Sequence, residues 1–239
     1  MQRMPLAPRR PLLLALGTVL LGVAGPACSP SIDAAVKADV DRQLALFTAP
    51  TQVYGTPSSA TPMPLAVGQW VTYKFVDDKG QPSLMTQKLV GQEGGAFWYE
   101  TLNESYYGKS GIRMLVDFGD RKQPDSITIK AAKIKDSKGQ VTEYPESMIG
   151  LMNSVLRGQL GTIVIDWTGL PQEDATAPAG RFVGCFKGHS EVSFAGFKST
   201  GVVWGHAAVP LSGMVRSEGE NHRVGELVAF GTSGATSDF

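Results

Sequence analysis

The residues in this chain best suited to chemistry are its three histidines, His189, His206 and His222. Imidazole nitrogens bind metals and carry protons near neutral pH. Glu191 follows His189 by two residues, which puts both side chains on one face of a strand, and His206 can fall on a neighbouring strand. No spacing typical of a metal site connects them. We therefore predict exposed or hydrogen-bonded histidines, with no metal and no cofactor.

The first 27 residues have the layout of a secretory signal peptide. Residues 1–10 carry three arginines and no acid, residues 11–24 (PLLLALGTVLLGVA) are apolar without interruption, and small residues follow. The apolar run is shorter than the about 20 residues that a transmembrane helix needs. We predict that residues 1–27 direct export and are removed; the alternative is an uncleaved anchor.

Cys28 stands directly after this segment, and its position resembles the acylated cysteine of bacterial lipoprotein signals. Ala27 fits that pattern, whereas Pro26 and Gly25 depart from it. Acylation of Cys28 would anchor the exported chain to a membrane and leave Cys185 as a small buried packing residue. The alternative is a soluble exported protein, in which the two cysteines can form a disulfide. The intact mass separates the two, because only an acylated chain carries a diacylglycerol increment.

Motifs of catalytic sites are missing from the sequence. There is no G-x-S-x-G elbow, no P-loop and no glycine fingerprint in a Rossmann context. Carboxylates such as Glu100, Asp117, Asp120 and Asp166 are scattered over different segments, and nothing nominates a glycosidase pair. Without residues 1–27, 19 basic residues stand against 22 acidic ones, which argues against nucleic-acid binding. We predict a non-enzymatic protein.

Composition and periodicity favour a mainly β domain. The 239 residues include 28 glycines, and only 18% are charged, which suits many tight turns. Alternating apolar residues predict strands near 70–75, 84–90, 97–100, 112–118, 127–131 and 163–167, with further short strands over 181–231. Residues 169–180 are predicted to be a polar loop, and residues 232–239 are predicted to fray.

Two segments have helical spacing. Residues 29–48 predict a helix that begins after Ser31 or Asp33, and residues 48–64, rich in proline, serine and threonine, predict a tether. Residues 145–157 predict a second helix with one apolar face. That face either packs in the core or lines a cavity, and it consists of Met148, Leu151, Met152, Val155 and Leu156.

Three late segments resemble the closing strands of periplasmic lipoprotein-carrier (LolA/LolB-like) half-barrels. They are AGRFVGCFKGHSEV (179–192), VVWGHAAVPLSGMVRSE (202–218) and GELVAFGTSGA (225–235). VGQWVTYKF (67–75), FWYE (97–100) and MLVDF (114–118) resemble the opening hairpins. The resemblance implies a curved antiparallel open barrel, covered on its concave side by one or two helices. Between them it implies a cavity for acyl chains, which the second helix and Trp204 would line.

We therefore expect residues 1–27 to be a signal peptide, 28–64 an anchor cysteine, helix and tether, and 65–239 a β half-barrel domain. The expected protein is exported to the periplasm and anchored to the outer membrane through lipidated Cys28. It would bind a lipid or acyl group, or dock an envelope protein. The alternative is a structural or assembly lipoprotein without a small ligand.

Overall fold

The structure is a computed structural model that describes residues 31–47, 52–77, 79–120, 126–160, 167–194, 197–219 and 223–239, with backbone alone for 154–160, 190–194 and 197–199. These residues form two helices and twelve strands. In chain order they are α1 Ala34–Ala45, β1 Val53–Tyr54, β2 Trp70–Val76, β3 Pro82–Glu93, β4 Ala96–Ser105, β5 Gly108–Asp117, β6 Thr128–Lys135, β7 Val141–Glu143, α2 Glu146–Leu160, β8 Gln172–Ala177, β9 Gly180–Phe194, β10 Phe197–Gly205, β11 Met214–Gly219 and β12 Val224–Gly231.

The described strands belong to one open sheet in the order β1-β9-β10-β11-β12-β2-β3-β4-β5-β6-β7, and β8 also pairs with β9. Every pairing is antiparallel except that of β1 with β9. The predicted mainly β class with antiparallel strands and two helices is therefore confirmed. Within the described residues, neither helix is long and apolar enough to cross a membrane.

One face of the sheet carries the hydrophobic core. Leu89, Tyr99, Met114 and Ala132 lie directly opposite one another on β3 to β6, and each is at most 4% exposed. Because neighbouring residues of a strand point to opposite faces, this row defines the core face, and the side that carries Glu100 is the outer face.

Helix α1 lies against the outer face. Asp33 is its N-cap, as predicted, and accepts the backbone N–H of Ala35 at 3.0 Å. Gln43 donates to Glu104 of β4 at 2.6 Å, and Glu104 shares its face with Glu100. The resemblance places the helices on the side that holds the cavity, and α1 departs from that expectation.

Helix α2 covers the edge of β6. The Asn153 amide donates to Ile129 O at 2.9 Å and accepts from Ile129 N at 2.6 Å, so one side chain replaces a neighbouring strand. It also donates to Ile149 O one turn earlier, at 3.1 Å. The predicted helix is confirmed, and it continues to Leu160, beyond the predicted end at residue 157.

Residues 52–64 pack against the sheet, although the sequence predicts a tether. The Tyr54 ring stacks on Phe182 with centroids 4.4 Å apart, and Ala60 O accepts the Trp167 N–H at 2.9 Å. Tyr54 is the aromatic anchor of a segment that otherwise has the composition of a linker. Contacts with β9 and Trp167 hold the segment in place. These residues are distant in sequence, so the local composition of the segment could not predict the contacts.

The predicted loop 169–180 contains strand β8, and this prediction was wrong. Its first three residues are polar and exposed, and only Ala175 and Ala177 face the core, so the apolar alternation is weak. Gly184 has a φ of 70°, and Asp174 accepts its N–H at 3.0 Å. This irregularity brings both Phe182 and Cys185 into the core, although side chains three residues apart in a regular strand point to opposite faces.

Candidate functional site

The core face has a buried row and, next to it, a half-buried row. Gln87, Thr101, Ile112 and Ile134 lie opposite one another on β3 to β6, two residues from the buried row defined above. All four are half-buried. Phe75 and Met85 flank them and are likewise half-buried against the core. We call these six residues the open strip.

The open strip combines apolar side chains with one unsatisfied polar atom. The Gln87 Oε1 atom is buried and has no hydrogen-bond partner within the described residues. A buried acceptor without a donor costs about 1–3 kcal/mol, so a ligand hydroxyl or amide that reached this atom would recover part of that free energy. The sequence analysis missed Gln87. The sequence does contain a sign of it, because Gln87 is a polar residue on the same face of β3 as the apolar Met85 and Leu89.

The predicted lining residues of α2 do not share one surface. Met152 is 8% exposed and belongs to the core, whereas Met148 is 41% exposed and Leu151 is 61% exposed. Val155 and Leu156 lie on the helix, but their side chains are outside the described part. Ile149, which the predicted stripe omits, is buried with Met152. The Asn153 bonds to β6 fix this rotation of α2.

Trp204, the remaining predicted lining residue, is 8% exposed and belongs to the buried hydrophobic cluster, and strand alternation places it on the face opposite to Val203. It pairs with Lys187 of β9 and Arg216 of β11, and their cationic groups lie 5.1 and 6.0 Å from its ring. Its neighbour Val203 points to the core face, opposite Ser217. The Trp204 ring is therefore held by cation–π contacts and is turned away from the open strip.

Cys185 is fully buried and has no disulfide partner within the described residues, which do not include Cys28. The Cys185 Sγ atom donates to Phe182 O at 3.6 Å. Burial raises the pKa of Cys185 to about 12, so the side chain stays a thiol at neutral pH. This environment agrees with the predicted packing role, since reactive cysteines have lowered pKa values.

His206 lies just after β10 and links two loops. It is 2% exposed, its Nε2 donates to Gly55 O at 2.9 Å, and its Nδ1 accepts from Ala208 N at 3.1 Å. Both ring nitrogens are satisfied only in the neutral tautomer protonated at Nε2. The Phe182 ring meets the imidazole edge-on at 5.4 Å, and burial lowers the pKa of His206. The arrangement is a structural clamp on residues 52–62.

We expect this clamp to weaken below neutral pH. Because burial lowers the pKa of folded His206 below 6.5, the unfolded chain binds a proton first. The contribution of His206 to stability is complete above pH 6.5 and is lost as the pH falls toward the folded pKa, with a slope of at most about 1.4 kcal/mol per pH unit. Urea unfolding at pH 7.5 and 5.5 measures it. The control is His206→Gln, which keeps a donor for Gly55 and does not titrate. Its free energy of unfolding should fall less between pH 7.5 and 5.5 than that of the wild type, and equal decreases would contradict the clamp.

The other histidines and carboxylates considered in the sequence analysis do not form a shared site among the described residues. Among the described residues, no group of three or more His, Cys, Asp and Glu side chains could hold a metal ion. His189 is exposed on β9, and His222 and Asp166 are outside the described part. Asp117 pairs with Lys130 at 2.9 Å, and that hydrogen bond lowers the pKa of Asp117. Glu100 is fully buried on the outer face.

No family model matches the chain, and no curated protein matches it. Two solved structures have a distant likeness. One is a Bacteroides fragilis protein thought to be exported, with a YmcC-like fold; it is 14% identical, with a TM-score of 0.36 over 72% of this chain and all of that chain. The other is a Parabacteroides distasonis protein thought to be a lipoprotein; it is 13% identical, with a TM-score of 0.34 over 73% of this chain and all of that chain. Likeness at this level carries no conclusion about function.

Proposed function

We propose that this protein is an exported, non-enzymatic lipoprotein of the periplasm, anchored to the outer membrane through acylated Cys28. Its sheet would curve as a half-barrel and bind a lipid or acyl group on the open strip. The half-buried apolar side chains around the unsatisfied Gln87 Oε1 carry the ligand part of this proposal. The signal-like residues 1–27 and the position of Cys28 support the anchor.

The composition of the open strip fits an amphiphile. Phe75, Met85 and Ile112 supply apolar surface that a hydrocarbon chain would cover, which stabilises by about 25 cal/mol per Å². Gln87 and Thr101 lie side by side on β3 and β4 and supply an amide and a hydroxyl for the polar end. Ligand sites in proteins commonly combine a mostly apolar lining with a few polar groups in this way.

A second candidate function is docking of an envelope protein. The exposed Met148 and Leu151 side chains of α2 favour it, since exposed apolar side chains on one helix are typical of contact surfaces. It requires no ligand on the open strip, so the two functions make different predictions for what purifies with the protein.

We expect a lipid to accompany the gently purified full-length protein and to be lost when the open strip is filled. Ile112→Trp adds bulk at a half-buried position of the strip and should lower the lipid content about ten-fold, which corresponds to about 1.4 kcal/mol of binding free energy. Val141→Trp, on the exposed strand β7, is the matched control and should keep the lipid. Native mass spectrometry and lipid extraction measure both.

Two results would contradict the lipid proposal: wild-type protein without lipid, or equal lipid in both variants. A protein that accompanies the wild type instead, and is lost on Met148→Glu, would support docking.

A further inference from the structure

Residues 232–239 do not fray, so that prediction was wrong; they cross the outer face of neighbouring strands. We call them the clasp segment. The segment begins beside β2 and ends beside β6. Three hydrogen bonds mark its route: Ala235 N to Gly68 O at 2.9 Å, Lys88 Nζ to Thr236 O at 3.3 Å and Lys135 Nζ to Asp238 O at 2.5 Å.

We propose that the surface under the clasp segment is a peptide-binding groove selective for serine, acid and aromatic residues in that order, and that the clasp segment is its exchangeable occupant. Neighbouring strands β3 to β6 each supply one polar side chain to this clasp groove: Lys88, Glu100, Arg113 and Lys135. Glu100 directly follows Tyr99 of the buried core row, so the groove lies on the opposite face from the open strip. The proposal is therefore independent of the ligand on that strip.

The groove contacts the serine position through two hydrogen bonds. The Ser237 hydroxyl donates to Glu100 Oε1 at 2.5 Å and accepts from Arg113 Nη1 at 3.2 Å. It also accepts the N–H of Phe239 at 3.1 Å, which turns the segment so that the next side chains face the groove. The hydroxyl uses one oxygen atom both to donate to a carboxylate and to accept from a guanidinium, and alanine can do neither.

The clasp segment supplies hydrogen bonds to Glu100. Its carboxylate is fully buried, and the two hydrogen bonds that reach it within the described residues come from Ser237 and from the Asp238 N–H at 3.0 Å. Arg113 forms an ion pair with Glu100, with Nε 3.7 Å from Oε1, a distance too long for a hydrogen bond. A buried carboxylate is costly unless it is hydrogen-bonded, so the groove is adapted to a segment that supplies these two donors.

The acid and the aromatic residue also have matching partners. Lys88 forms an ion pair with the Asp238 carboxylate. The Phe239 ring lies beside Gly111, where an added Cβ would stand 3.2 Å from the ring, and Lys135 Nζ is 5.9 Å from the ring centroid. The missing side chain at Gly111 therefore makes room for an aromatic ring next to a cation.

Two observations favour exchange over permanent attachment. Residues 236–238 are exposed, so these three residues remove little apolar surface from water, and opening of the clasp segment would return the Glu100 carboxylate to water. In addition, the buried Arg113 Nε is ion-paired with Glu100 but has no hydrogen-bond partner within the described residues while the segment is bound. A peptide with a further acceptor at this atom would add a hydrogen bond that the clasp segment does not make.

The test cuts the clasp segment after the protein has folded. A specific protease site is placed between the exposed residues Thr232 and Ser233, the chain is cleaved, and a fluorescent peptide SGATSDF is added. We expect anisotropy to show saturable binding. Peptides with Ser237→Ala or Asp238→Lys should bind about ten-fold more weakly or worse, since a hydrogen bond to a charged group contributes about 1.5–3 kcal/mol.

The proposal is overturned if the cleaved, folded chain binds no peptide, keeps its own segment without exchange, or binds all peptides equally. An uncut chain with Ser237→Ala and Asp238→Lys in its own segment provides a second measurement that needs no cleavage. This variant should bind the labelled wild-type peptide, whereas the wild-type chain, whose groove is filled, should not. Binding to neither chain would also overturn the proposal.

Discussion

Replacing Phe182 with alanine is expected to remove about 3–5 kcal/mol from the free energy of unfolding. Phe182 is fully buried, stacks on Tyr54 at 4.4 Å, and lies edge-on to His206 at 5.4 Å and 6.3 Å from Phe230. Natural domains are stable by only about 5–15 kcal/mol, so this loss is a large fraction of the total. Urea unfolding at pH 7.5 measures it.

The Phe182 variant also tests how residues 52–64 are held. Without the ring, Tyr54 loses its stacking partner, and we expect faster hydrogen exchange at Arg181 N, which is bonded to Gln52 O at 2.9 Å. Phe182→Leu, which keeps much of the volume but not the stacking, is the control and should cost less. A loss below about 1 kcal/mol in the alanine variant would contradict the central place of this ring.

Replacing Gly213 with alanine is expected to cost about 2–5 kcal/mol. Gly213 has a φ of 70°, a conformation that costs other residues about 1–2 kcal/mol. An added Cβ would stand 2.4 Å from Trp167 Cη2, and Trp167 is buried and stacked on Phe186. Overpacking of this kind adds about 1–3 kcal/mol.

The chain offers a matched control for Gly213. Gly139 has a φ of 82° and nothing within 4 Å of an added Cβ, so Gly139→Ala carries the backbone strain alone. The difference between the two variants isolates the contact with Trp167. Thermal or urea unfolding measures the stability of both variants. Equal losses of unfolding free energy would show that Trp167 moves aside at no cost.

Much of the local structure could be predicted from the sequence. The Asp33 cap and the spacing of α1, the existence of α2 and the alternating strands β2 to β6 all depend on short-range patterns. The alternating pattern of the sequence predicts the strands β3 to β5 that carry the candidate site. It does not predict that the residues of the open strip are only half-buried. Their exposure depends on how far α2 and the rest of the core extend over those strands.

The predictions that differ from the structure concern contacts between distant residues. The clasp segment is small and polar, and it is ordered by Lys88, Glu100 and Lys135, which lie far away in sequence. Helix α2 is rotated by the bonds of Asn153 to Ile129, and no helical periodicity reports such a bond. In each case a polar side chain with a long-range partner decided the arrangement.

The pairing of β12 with β2 has a consequence for the order of folding. Val224 lies opposite Val76 and Gly231 opposite Trp70, so strands from the two ends of the domain meet in the middle of the sheet. The hairpins β2 to β7 and β9 to β12 can form locally, whereas this seam needs both groups of strands, which lie far apart in the sequence. Until the seam forms, β2 has an unpaired edge, so we expect aggregation to compete most strongly with this step of folding.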